Sequence, residues 1–119
     1  MATIDKDLLA QLLRKLEKRQ EGLVQEKERL VSEDPLLDPD RLMKNAPDDD
    51  SQEVVGHERV KALLAEVESQ LEETRLALEK IEQGGYGVCQ ECGRAVGKSR
   101  LELMPWALLC IECERKEEA

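Results

Sequence analysis

Four cysteines in the last third of the chain carry its clearest chemistry. Cys89 and Cys92 form one C-x-x-C pair, and Cys110 and Cys113 form a second, with residues 93–109 between them. Two such pairs at this separation match the ligand spacing of a zinc ribbon or finger. Zn²⁺ takes four soft ligands in a tetrahedron, about 2.3 Å from each sulfur. Two cysteines separated by two residues can turn both sulfurs to one point around a tight knuckle. Gly93 follows the first pair, where a positive φ would let the chain turn under the metal. The second pair, Cys110-Ile111-Glu112-Cys113, has no such glycine and is expected to run into a short terminal helix. Four thiolates on one divalent ion leave net negative charge, and Arg94, Lys98 and Arg100 are the cations nearby in sequence. With four protein ligands no coordination position stays open for substrate, so the site reads as structural. Two disulfides or a redox C-x-x-C are the competing readings. The start, Met1-Ala2-Thr3-Ile4-Asp5, is polar and unlike a signal peptide, which predicts a cytoplasmic location where disulfides are disfavoured. One structural Zn²⁺ is therefore the expected cofactor.

Composition limits what can position this site. The chain has 119 residues, no Phe, one Trp and one Tyr, so a broad globular core is not expected. Charged residues make up 38% of it, and the aliphatic residues are mainly Leu and Val, as in long exposed helices that bury a narrow stripe. The net charge is −9. That sign disfavours sequence-specific or nonspecific nucleic-acid binding and docking on anionic membranes, and it suits a basic partner surface or a site rich in cations. No apolar run approaches the roughly 20 residues of a membrane span.

Two stripes at helical spacing precede the cysteines. Leu9, Leu12, Leu16, Leu23 and Leu30 lie on one face, widened by Leu13 and Val24 and interrupted by Arg19 and Glu26. Val60, Leu64, Val67, Leu71, Thr74, Leu78 and Ile81 form a second, heptad-like stripe with Thr74 as its polar member. The spacing predicts one helix from about Asp5 to Glu33 and another from about Ser51 to Gln83, the latter stopped by Gly84-Gly85. Each would be on the order of 45 Å long. Neither stripe can stay exposed. Pairing the two as an antiparallel hairpin within one chain carries the lower loop-closure cost, which predicts a monomer; pairing each helix with another copy is the alternative. The expected architecture is all-α: a coiled-coil hairpin over residues 1–83, then a Cys₄ zinc finger and a short terminal helix over 84–119.

The segment joining the helices, 34–50, contains Pro35, Pro39 and Pro47, which exclude a continuous helix, and six aspartates. Asp48, Asp49 and Asp50 stand just before the second helix. They can cap it, since negative charge at a helix N-terminus is favourable by some tenths of a kcal/mol. In a hairpin they would also sit at the tip, away from the cysteines, as an acidic probe.

Gly85-Tyr86-Gly87-Val88-Cys89-Gln90-Glu91-Cys92-Gly93, followed by Arg100-Leu101-Glu102, Pro105 and Cys110-Ile111-Glu112-Cys113, resembles the zinc finger of the DksA/TraR family. The match covers about 30 residues, and a preceding coiled coil agrees with that family's architecture. The resemblance implies a regulator of transcription that binds bacterial RNA polymerase. Its coiled-coil tip would enter the secondary channel toward the catalytic Mg²⁺, with the zinc module bracing the base. It also implies that acidic tip residues act on initiation complexes. Where DksA carries Asp-x-x-Asp-x-Ala at the tip, this chain has Asn45-Ala46-Pro47-Asp48-Asp49-Asp50. Asp48 takes the place of the second aspartate, Asn45 that of the first, and Asp50 that of the alanine. A branch that keeps the scaffold with another target would show such a departure. The alternative function is a non-catalytic adaptor that docks another protein through its finger and helices.

Among the remaining residues, His57 is the only histidine and reads as a surface residue of the second helix. Met104 and Trp106, which flank Pro105, are expected to pack the finger onto the ends of the helices. Arg100 is expected to balance the thiolates or to pair with a helix carboxylate. The sequence contains no nucleophile–base pair and no glycine-rich phosphate loop, so no enzyme is expected.

Overall fold

The computed structural model describes residues 4–34 and 50–118, the side chains of 50–53 excepted. Four helices follow one another: α1 (Lys6–Glu33), α2 (Asp50–Gln83), α3 (Lys98–Leu103) and α4 (Ile111–Glu118). The long helices match the sequence expectation to within a residue at each end.

Their ends have local causes. At the start of α1, Asp5 Oδ1 accepts the Leu8 backbone N–H at 2.7 Å, and the Asp5 carbonyl accepts that of Leu9 at 2.9 Å. This N-cap satisfies donors the first turn leaves without helical partners. Beyond its other end Asp34 precedes Pro35 in the sequence, and the residue before a proline is disfavoured in helical conformation. α2 ends in a Schellman turn: Gly85 N–H donates to the Lys80 carbonyl at 2.9 Å and Gly84 N–H to that of Ile81 at 3.3 Å. Gly84 takes φ +84°, a conformation that costs any residue with a Cβ.

The chain divides into two compact units, and both long helices contribute to each. The unit Glu21–Leu71 has a core of Leu30, Val60 and Val67, with Leu23, Leu64 and Leu71 against it. Here the later half of α1 meets the earlier half of α2, the antiparallel pairing that the stripes predicted. Lys27 Nζ and Glu68 Oε1 add an exposed ion pair at 3.5 Å. Such a pair stabilises little, about 0–1 kcal/mol.

The unit formed by Met1–Gln20 and Glu72–Ala119 has the larger core. Leu12 and Leu16 of α1, Ala77 of α2, and Tyr86, Val96 and Leu101 of the following segment are buried together with three cysteines. Ala77 lies outside the stripe read from the sequence, yet it is fully buried, whereas Leu78 and Ile81 are partly exposed. The cause is a second neighbour. In this unit α2 shares its core with the finger as well as with α1, so a wider face is covered.

One expectation is corrected in the unit Glu21–Leu71. His57 is not simply a surface residue, because its Nδ1 lies 2.8 Å from Asp34 Oδ2. Asp34, which opens the acidic segment 34–50, is 1% exposed. A carboxylate taken out of water needs hydrogen-bond partners, and the imidazole supplies one from the second turn of α2.

Candidate metal centre

The finger is built on a short hairpin-like turn. Val88 and Ala95 form an isolated antiparallel bridge. Cys89 N–H donates to the Arg94 carbonyl and Val96 N–H to that of Gly87, both at 2.8 Å. Gly93 N–H closes the knuckle on the Cys89 carbonyl at 3.0 Å, and Gly93 takes φ +75°, as its place in the motif predicted. Gln90 N–H reaches the Leu108 carbonyl at 3.0 Å, which ties the first knuckle to the segment leading into the second. Cys110 opens α4, its carbonyl accepting the Glu114 N–H at 3.0 Å. The second pair therefore does run into a terminal helix. That helix has Glu112 and Glu114 in its first turn and Arg115 and Lys116 in its last, the arrangement its dipole favours.

These elements bring the four cysteines together. Their sulfurs all lie within 4.8 Å of one another. A sulfur tetrahedron about 2.3 Å from a central Zn²⁺ has edges of about 3.8 Å, and Cys92 Sγ lies 3.7 Å from Cys110 Sγ. All four are free thiols, which sets the disulfide reading aside. Cys89, Cys110 and Cys113 are buried and Cys92 is exposed, so the centre lies at the edge of the core. The donor set fits one zinc ion, and among the described residues no further cysteine, histidine or carboxylate joins the cluster.

The electrostatics of the cluster favour a cation. Burial opposes ionisation of Cys89, but the backbone N–H groups of Cys92, Cys110 and Glu91 and the Cys113 thiol outweigh it, holding the Cys89 thiol down to about 6. Cys113 is pushed the other way, up to about 12, by hydrogen bonds with Cys110 and Cys89 and then by burial. Without positive charge the cluster cannot hold four thiolates side by side; a divalent ion reverses that balance. Arg100 does not supply the charge directly. Its Nε donates to the Leu109 carbonyl at 3.1 Å and its Nη2 pairs with the Glu114 carboxylate. It braces the segment before Cys110 against α4, the carboxylate pairing the sequence suggested. Arg94 stands 4.0 Å from Glu112 with both side chains exposed.

The core around the metal centre is locked by groups the motif already contained. Tyr86 is buried, and its hydroxyl donates to the Pro105 carbonyl at 2.8 Å. The Arg19 guanidinium lies 3.6 Å above the centre of the Trp106 ring. In the α1 stripe Arg19 read as an interruption; Trp106 is what it meets. Met104 and Trp106 pack against the core that contains Leu12 and Leu16, as expected for residues anchoring the finger. Of the tip residues, Asp48 and Asp49 lie outside the described residues, and Asp50 is the first residue of α2. Among the described residues no helix is long and apolar enough to cross a membrane.

Residues 84–119 match the family described as prokaryotic DksA/TraR C4-type zinc finger. The chain is 32% identical over 81 residues to the RNA polymerase-binding transcription factor DksA of Escherichia coli, a match covering 67% of this chain and 49% of that protein. It is 40% identical over 42 residues to the protein of the same name from Caulobacter vibrioides, covering 35% of this chain and 30% of that one. An uncharacterized protein of Aquifex aeolicus is 44% identical over 48 residues, covering 40% of this chain and 33% of that one. The matches thus span a third to a half of these relatives' own lengths. Among solved structures, the transcription factor DksA2 of Pseudomonas aeruginosa superposes with a TM-score of 0.81 at 27% identity, covering 98% of this chain and 88% of that one. The relatives named for a function are transcription factors rather than enzymes.

Proposed function

From the match of residues 84–119 to the DksA/TraR C4-type zinc-finger family and the likeness of the chain to DksA proteins, we propose that it is a member of that family and regulates transcription in the bacterial cytoplasm by binding RNA polymerase. The zinc-loaded finger, with Cys89, Cys92, Cys110 and Cys113 as ligands, is its structural base. The segment that joins α1 and α2 is its working tip, inserted in the polymerase secondary channel with Asp48, Asp49 and Asp50 toward the catalytic Mg²⁺. The observation that carries this reading is the likeness to DksA2 over 98% of the chain. It extends to the helices that would hold a tip, whereas the family model matches the finger alone. The chemistry is consistent with it: clustered aspartates suit a site that contains a divalent cation, and a closed Cys₄ centre suits a scaffold. The protein would act as a monomer without reading DNA sequence.

The test is binding of the purified zinc-loaded chain to polymerase core, with crosslinkers placed at Asp48. Crosslinks should map to the secondary channel. The variant carrying Asp48→Asn, Asp49→Asn and Asp50→Asn should still bind core and lose its effect on in vitro transcription. No detectable binding at micromolar protein would sink the proposal. Binding and regulation both intact in the triple variant would place the activity elsewhere on the chain.

A further inference from the structure

A groove of about 500 Å³ lies on the unit Met1–Gln20 and Glu72–Ala119, where α1 faces the end of α3 and the segment that follows it. Lys15, Lys18 and Arg19 line it from α1; Glu102, Leu103 and Trp106 line it from the finger side, over a floor containing Pro105. Its charge runs against that of the chain. The protein carries −9 overall, yet this groove has three cations and one carboxylate. Two of the cations are held in place: Lys15 Nζ donates to the Glu102 carbonyl at 3.3 Å, and Arg19 rests on the Trp106 ring. Lys18 has no ion-pair partner among the described residues and is exposed. Leu103 is 80% exposed, the most exposed of the large apolar side chains described. An apolar side chain this exposed has no packing role, and with a partly exposed indole beside it the two form an apolar strip edged by cations.

From this arrangement we propose that the groove is a docking site for an acidic segment of a partner protein that carries a leucine or aromatic side chain between carboxylates. Charge complementarity selects the occupant. The carboxylates meet Lys15, Lys18 and Arg19, and the apolar side chain covers Leu103 and the exposed part of Trp106. A nucleic-acid strand fits less well, because an exposed leucine offers nothing to a phosphate and the protein's overall field repels a polyanion. This inference holds whether or not the chain binds polymerase.

Trp106 is the only tryptophan and lines the groove, so its emission reports occupancy. The probe is a tryptophan-free peptide of alternating glutamate and leucine, titrated into the full zinc-loaded chain; a lysine–leucine peptide of equal length is the control. The acidic peptide should shift Trp106 emission saturably and the basic one should not. Lys18→Glu and Leu103→Asp, both at exposed positions that leave the core intact, should each weaken binding at least about tenfold, as expected of central contact residues. Added salt should weaken binding by the wild type more than by Lys18→Glu. Three results would overturn the proposal. One is no saturable shift, or equal affinity in wild type and both variants. Another is displacement of the peptide by single-stranded RNA at equal concentration. The third is concentration-dependent self-association of the wild type that both substitutions abolish, which would make a second copy the occupant.

Discussion

Asp34 Oδ2 lies 2.8 Å from His57 Nδ1, joining the residue that follows α1 to the second turn of α2 across a carboxylate that is 1% exposed. A buried carboxylate deprived of a partner loses that hydrogen bond and does not regain water, at a cost of about 1–3 kcal/mol. His57→Ala should therefore lower stability by about that amount, and His57→Gln, which can still donate, by less. In a double-mutant cycle Asp34→Ala and His57→Ala should cost less together than the sum of the two alone. Urea unfolding measures all four proteins; additive losses would show that the pair is not coupled.

Leu12 and Leu30 are both nearly inaccessible, but in different cores. Truncating either to alanine should cost about 2–5 kcal/mol. Only Leu12 shares its core with Cys89, Cys110 and Cys113. Leu12→Ala should therefore also speed zinc loss to a competing chelator, with Leu30→Ala retaining zinc like the wild type. Equal zinc release from the two variants would show that the α1 side of the core does not support the ligands.

That contrast shows what the sequence discloses. Ligand spacing, Gly93 and the two stripes act through local geometry, so the finger, both helices and their ends were legible from residue types. Three relationships were not. Arg19 read as a break in a stripe because its partner, Trp106, stands far along the chain. Ala77 stands outside the stripe because a small residue carries no hydrophobic signal until a second neighbour covers it. His57 reads as polar surface because nothing in a sequence announces its tertiary hydrogen bond to Asp34. In each case the missing information was which distant segment came alongside.

Gly84 and Gly85 provide an internal control for backbone conformation. A Cβ at either would meet nothing within 4 Å, so no clash contributes at either site. Only Gly84 has positive φ of the two. Gly84→Ala should cost about 1–2 kcal/mol, Gly84→Asn less, and Gly85→Ala almost nothing. Thermal unfolding of the three variants decides it; equal losses at both positions would mean that the Schellman turn is not what ends α2.

Tyr86 is the only tyrosine, so its ionisation can be followed by tyrosinate absorbance. Burial pushes its hydroxyl up to about 12, against about 10 in an unfolded chain. The folded protein therefore holds this proton more tightly than the unfolded one. Its contribution to stability is fully present below about pH 10 and is lost as pH rises through about 12. Absorbance should titrate near 12 in the native protein and near 10 in urea. Tyr86→Phe should be less stable at neutral pH by about 1 kcal/mol, the hydrogen bond to Pro105 being lost. It should also lack the tyrosine-linked decline at alkaline pH. A native titration near 10 would contradict the buried hydroxyl.

The larger core unites two stretches separated along the chain by the whole of the unit Glu21–Leu71. Leu12 and Leu16 precede Cys89, Cys110 and Cys113, so they are made before the residues that bury them. Until those residues follow, the apolar side of α1 has no finger to lie against. This unit therefore closes by long-range contacts, whereas Leu30, Val60 and Val67 of the other unit meet over a shorter stretch of chain.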